Sequence, residues 1–307
     1  YQNIKTSESH EYVWQHFASC LMGTNKNQTF NIYTGVGSNG KSVLVDLMSI
    51  VLGDYKGTVP ISLITQKRLG LGGTSSEVAQ LKGLRFAVMN EPSKGDEINE
   101  GIMKELTGGD PIQARELYKS SMIFIPMFKM ACCTNTLFDI KSNDEGTWRR
   151  IRVVDFQSRF LNNPSKDPKD NEFKINKDLK RKFKDWAPIF ASMLIDIVLQ
   201  TNGNVEDCEE VLQASKEYRK NQDYLAKFCE DKIKIWEYNS ENPEKKENKI
   251  SKTNIQNEFK EWWKREFPST RCPKCQELVN YLNIKLGPYK RRGWWGYEII
   301  YDEYDSD

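Results

Sequence analysis

Three glycines, a lysine and two hydroxyls fall within eight residues, Gly35-Val36-Gly37-Ser38-Asn39-Gly40-Lys41-Ser42. That spacing suits capture of a polyphosphate. Glycines let backbone N–H groups fold around phosphate oxygens, with Ser38 and Asn39 in the same turn. Lys41 can then reach the β- and γ-phosphates, and Ser42 can offer its hydroxyl to Mg²⁺. The pattern has meaning only between a strand and a helix. Phe30-Asn31-Ile32-Tyr33-Thr34 reads as the strand, and Val43-Leu44-Val45-Asp46-Leu47-Met48 as the first turns of the helix. The chain is expected to use a nucleoside triphosphate, with ATP and Mg²⁺ bound here.

A carboxylate is needed next. Leu84-Arg85-Phe86-Ala87-Val88-Met89-Asn90-Glu91 is an apolar run that delivers Glu91, expected to polarise the attacking water and to share the metal with Ser42. Asn90 stands where a second carboxylate is usual. A second run, Met130-Ala131-Cys132-Cys133-Thr134-Asn135, closes on an amide able to orient that water or touch the γ-phosphate. A plain turn-forming asparagine is the simpler alternative. Arg149 and Arg150 precede the apolar run Ile151–Phe156. In a ring of subunits either could neutralise charge in the neighbour's site, and spacing does not choose between them.

These residues need a scaffold. At 307 residues the chain has room for about two domains. Residues 1–28 read as an N-terminal helical segment, with Val13, Trp14, Phe17, Leu21 and Met22 on one face. Residues 29–160 alternate strand-like runs with helical patterns, the mark of an α/β layer around a largely parallel sheet. The runs are Phe30–Thr34, Arg85–Asn90, Ile112–Tyr118, Met122–Asn135 and Arg150–Phe156. A polar loop at 161–170 opens a helical subdomain, 161–238, with helices at about 176–200 and 206–238. Residues 239–250 have linker composition. Residues 251–307 contain helices at about 252–266 and 273–286 and a hairpin-like stretch at 290–300, together suggesting a winged-helix-like α+β module with an acidic tail.

Composition narrows the function classes. The formal charge is +2 with 29% charged residues, so nucleic-acid contact must come from local patches. Mean hydropathy is −0.68, and no apolar run approaches the ~20 residues of a membrane span. Seven scattered cysteines suit a reducing, intracellular compartment. Cys272-Pro273-Lys274-Cys275 has metal-like spacing, but without a second pair and with just His10 and His16 in the chain it reads as ordinary thiols. The chain opens on Tyr1 and is expected to be a piece of a longer protein.

The whole set resembles the superfamily 3 helicases of the AAA+ class, and within them the helicase half of poxvirus-type primase-helicases of large DNA viruses and related phages and plasmids. The resemblance spans about residues 13–235. Its segments are GVGSNGKS at 35–42, RFAVMNEP at 85–92, KELTGGDPIQARELYKS at 104–120, FKMACCTN at 128–135 and GTWRRIRVVDF at 146–156. Gly53-Asp54-Tyr55 and Glu217-Tyr218-Arg219 fit too. The stretch from Thr107 to Arg115 is the most specific, since a generic phosphate-loop protein has no need of it.

The resemblance implies an AAA+ core and a ring, expected to be hexameric, that moves along single-stranded or forked DNA. It also implies a hairpin at 116–121 that holds the DNA backbone, with Lys119 as its tip cation and Tyr118 beside it. Residues 1–28 would be the remnant of a collar. Location in host cytoplasm or nucleus follows by the same analogy, whereas the module at 251–307 could instead dock a protein such as a polymerase or processivity factor. Competing readings are a loader or packaging motor, and an ATP-stabilised module that binds an origin or partner.

Residues 251–300 carry a net charge of +5, and the last seven residues carry −4. Lys290, Arg291 and Arg292 beside Trp294 and Trp295 combine cations with aromatic faces, the ingredients of phosphate contact and stacking. The alternative is that Trp262, Trp263, Trp294 and Trp295 build a small core.

Overall fold

A computed structural model describes residues 8–66, 75–89, 91–93, 95–141, 144–167, 170–236, 248–268 and 272–301. The expectation for Asn90 and most of the linker and acidic tail lie outside them. The chain forms two compact units, 1–222 and 223–307.

The first unit runs α1 (Glu8–Ser19), β1 (Phe30–Thr34), α2 (Lys41–Leu52), β2 (Lys56–Val59), α3 (Ser62–Thr65), α4 (Ser76–Ala79), β3 (Phe86–Met89) and α5 (Glu100–Thr107). Then follow β4 (Ile112–Ala114), β5 (Met122–Phe124), β6 (Lys129–Cys133), α6 (Glu145–Trp148), β7 (Ile151–Asp155), β8 (Arg159–Leu161), β9 (Glu172–Lys174), α7 (Phe183–Thr201) and α8 (Glu209–Gln222). A five-stranded sheet in the order β2-β3-β6-β1-β7 is its centre, and every pairing within it is parallel. Parallel sheets are buried on both faces. Phe30, Ile32, Met89, Met130, Cys132 and Val153 pack on one side with α5. Tyr33, Phe86, Val88, Ala131 and Val154 pack on the other with α1, α2 and α7. The period-two alternation of these strands therefore fills two cores.

Three local expectations change. The N-terminal helix stops at Ser19, so Leu21 and Met22 follow it in a turn, and α1 is built into the core with Tyr12, Val13 and Phe17. The run 122–135 is two strands, β5 and β6. Pro126 lies between them and has no N–H to give a ladder. The run 112–118 ends as a strand at Ala114, where an antiparallel hairpin with β5 begins its turn.

The second unit contains α9 (Tyr224–Lys232), β10 (Ile233–Ile235), β11 (Lys249–Ile250), α10 (Lys252–Glu266), α11 (Cys275–Lys285), β12 (Trp294–Trp295) and β13 (Tyr297–Ile299). The helix expected over 206–238 is thus broken, because the Asp223 side chain accepts from the Ala226 N–H at 2.9 Å and starts α9 afresh. Trp262, Trp263 and Trp294 are buried with Phe228, Phe259 and Leu278 in one core, whereas Trp295 is exposed. Residues 290–300 do not pair as one hairpin: β12 pairs with β11 and β13 with β10. Gly296, at φ 82°, turns the chain between those partners.

Candidate active site

The phosphate-loop residues leave the C-terminal end of β1, the end at which open parallel sheets bind ligands. Left-handed backbone recurs at Gly37 (φ 91°), Ser38 (φ 51°) and Gly40 (φ 84°), curling the loop before α2 starts at Lys41. At Gly35 a Cβ would sit 2.8 Å from the Phe156 carbonyl oxygen and collide with the Asn39 amide, so a side chain there would close the turn. The Asn39 amide itself lies 3.5 Å from that same oxygen. The Ser38 carbonyl accepts from the Phe160 N–H at 2.7 Å, anchoring the loop to the segment after β7.

Lys41 is buried at the mouth of this loop. Its ammonium donates to the Gly35 carbonyl at 3.3 Å and to Asn135 Oδ1 at 3.1 Å. Burial lowers its pKa, and Cys133 and the carboxylates of Glu91 and Asp155 oppose that shift. A desolvated ammonium held by neutral oxygens gains most from an arriving anion. Ser42 is exposed on the first turn of α2.

β3 and β6 are neighbours in the sheet, which carries Glu91 and Asn135 to the same end as the loop. The Asn135 N–H donates to Glu91 Oε1 at 2.8 Å. One asparagine thus touches the lysine through its side chain and the carboxylate through its backbone. Sequence reasoning missed Asp155. It closes β7 opposite Thr34 of β1, and burial raises its pKa while Lys41 lowers it. A lone carboxylate at a strand end carries little signal until the strand order is known.

Arg149 and Arg150 are elsewhere. They precede β7, at the end where Ile151 pairs with Phe30, whereas the loop follows Thr34, which pairs with Asp155. A strand this long separates the two ends by about 15 Å. Arg149 is exposed and reaches Gln28 Oε1 at 3.2 Å. Arg150 is more enclosed, donates to the Gly146 carbonyl at 2.5 Å, and has its pKa lowered by burial and then by Arg149.

The β4–β5 hairpin presents its turn to solvent. Tyr118 is 95% exposed and adopts φ 60°. Lys119 donates to Glu116 Oε2 at 2.6 Å, and Arg115 Nε donates to the Lys119 carbonyl at 3.1 Å. Lys290, Arg291 and Arg292 belong to the second unit, in a tight turn ahead of β12.

No group of three or more potential His, Cys, Asp or Glu metal ligands occurs among the described residues. Mg²⁺ needs no such cage, since one or two carboxylates, a hydroxyl, substrate phosphates and water suffice. Ser42, Glu91 and a phosphate loop fit that donor set. No helix among the described residues is long and apolar enough to cross a membrane.

Parallel strand order, the loop at the end of β1 and the Lys41–Asn135–Glu91 cluster define an α/β core of the phosphate-loop kind. Residues 33–150 match the model of a family of unknown function (DUF5906). A protein named "Putative helicase" from Acanthamoeba polyphaga mimivirus is 35% identical over 290 residues, covering 92% of this chain and 29% of that protein. Another with that name, from Frog virus 3, is 30% identical over 293 residues, again 92% and 29%. A "Putative primase" of African swine fever virus is 28% identical over 234 residues, 72% of this chain and 24% of its own length. The chain is a homologue of these viral proteins and spans under a third of their length. In fold it is similar to the C-terminal region of NrS-1, with a TM-score of 0.50 at 15% identity, covering 69% of this chain and 47% of the other.

Proposed function

We propose that the chain is the helicase part of a viral primase-helicase, an ATP-dependent motor of the superfamily 3 AAA+ kind that unwinds DNA during replication. The observation that carries this reading is the joint held by Asn135 between Lys41 and Glu91. A lysine for the phosphates and a carboxylate for water lie on one side chain and one backbone amide of a single residue. Binding ATP would exchange the Gly35 and Asn135 oxygens on Lys41 for phosphate oxygens. Glu91 would then take the proton of the attacking water, and Asn135 would report the γ-phosphate. Mg²⁺, held by Ser42 and Glu91, would supply charge neutralisation to the phosphates.

Phosphoryl transfer also calls for a cation against the charge that develops in the transition state. Arg149 and Arg150 stand at the far end of the sheet from their own loop, which supports a role for one of them in a neighbour's pocket. Arg149, the more exposed, is the better candidate. On this reading the unit of catalysis is the interface between neighbours, in a ring expected to be hexameric. The Lys119 turn contacts the backbone of a single strand, and hydrolysis moves it. Replication partners such as a polymerase or processivity factor would dock on the module at 251–307.

The test is unwinding of a forked duplex with ATP and Mg²⁺. Lys41→Ala is expected to abolish turnover and strand separation while the chain stays folded. Unwinding equal to the parent's would overturn the motor reading.

A further inference from the structure

The second unit holds an open cleft of about 580 Å³ lined by Trp236, Asn248, Lys290, Arg291, Trp295 and Gly296. That is the size class of sites for small organic ligands, of which a nucleotide is one. Its chemistry is an indole surface under a cationic rim. Trp295 is 39% exposed, while Trp262, Trp263 and Trp294 are 2% or less. Its indole N–H donates to the Lys290 carbonyl at 3.0 Å, which fixes the ring, and the Lys249 ammonium lies 4.9 Å from the ring centroid. The nearby carboxylate of Glu298 is already engaged, by Lys234 at 3.0 Å and Asn248 at 3.2 Å.

The rim is strained. Lys290 and Gly293 exchange backbone hydrogen bonds of 3.1 Å each, closing a two-residue turn with φ 48° at Arg291 and φ 63° at Arg292. Turns with both central residues left-handed favour Asn-Gly, because a Cβ is unfavourable there. Two exposed arginines in that conformation do nothing for the turn itself. Strain of this kind is kept where the side chains are used.

We propose that this cleft binds an unpaired nucleotide of a single-stranded nucleic acid. A base stacks against the indole of Trp295, and Lys290, Arg291 and Arg292 hold the adjoining phosphates. Bases in a duplex keep their faces covered, so an indole platform selects unpaired ones. The choice of ligand rests on the reading of the chain as a nucleic-acid motor, but the site uses no part of the ATP pocket.

The test uses the whole chain without nucleotide, in a Lys119→Ala background that removes the other proposed contact. Anisotropy of a labelled oligothymidylate of about twelve nucleotides, within single-strand site sizes, is compared with a duplex of the same length. Trp295→Ala is expected to weaken single-strand binding about 5- to 100-fold, and Trp295→Phe to restore most of it. The double variant R291N/R292G is expected to bind more weakly and to lose about 1.4 from the salt slope, two phosphates' worth. Its thermal midpoint is expected to rise, because the new pair suits the turn. Weaker binding with higher stability separates a ligand contact from a structural one. Unchanged single-strand affinity in both Trp295→Ala and R291N/R292G, or duplex bound as tightly as single strand, would overturn the proposal. A parent chain with no ATP turnover would sink the motor and leave this result readable.

Discussion

Asn135 bridges Lys41 and Glu91: its Oδ1 accepts from the lysine at 3.1 Å while its own N–H donates to the carboxylate at 2.8 Å. The cation and the base of the proposed reaction are therefore linked before any substrate arrives. Asn135→Ala cuts the side-chain half of the link and keeps the backbone half. ATP turnover is expected to fall about 100- to 1,000-fold, the range for one lost transition-state donor, with KM changed far less. Steady-state kinetics checks this. A loss confined to KM would make Asn135 a binding residue.

Lys119 and Tyr118 are separable. The Lys119–Glu116 ion pair is exposed and contributes at most about 1 kcal/mol to stability. Lys119→Ala is expected to keep the fold and basal ATP turnover while losing unwinding and DNA stimulation. Tyr118→Gly relieves a left-handed φ of 60°, so its thermal midpoint is expected to hold or rise. A drop in unwinding without a drop in stability would assign the ring to DNA. Full unwinding by Lys119→Ala would take the hairpin out of the mechanism.

His16 gives the first unit an acid limit. It is buried against the Tyr33 hydroxyl at 2.5 Å, and burial, then Lys129, push its pKa down to about 3. The unfolded chain binds that proton near pH 6.5 and the folded chain does not. Stability from this group is full above pH 6.5 and is lost as pH falls towards 3. The stability advantage of the parent over His16→Gln is expected to shrink across that window in chemical denaturation. A constant advantage from pH 7 to 4 would contradict the assignment.

Much of this architecture was legible because it is local. The glycines of 35–42 predict their own turn, and the apolar runs that end at Glu91 and Asn135 predict strands that deliver them. The helix expected at 252–266 spans Lys252–Glu266 in the structure. What escaped was long-range. Pro126 divides a run that looks continuous by hydropathy, and Asp223 restarts a helix whose periodicity barely falters. Nothing local says that β12 and β13 pair with β11 and β10 instead of with each other. Asp155 and the remoteness of Arg149 became visible once β7 was seen beside β1 in parallel register.

That remoteness makes the shared pocket directly testable. Lys41→Ala and Arg149→Ala chains are each expected to lack DNA-stimulated ATP turnover. Mixed, they form some interfaces with an intact Lys41 from one chain and an intact Arg149 from the other. Measuring turnover against mixing ratio with forked DNA present is therefore decisive. Activity that appears on mixing and peaks near equal amounts is the predicted result. Two inactive chains that stay inactive at every ratio, or an Arg149→Ala chain that hydrolyses ATP normally alone, would contradict it.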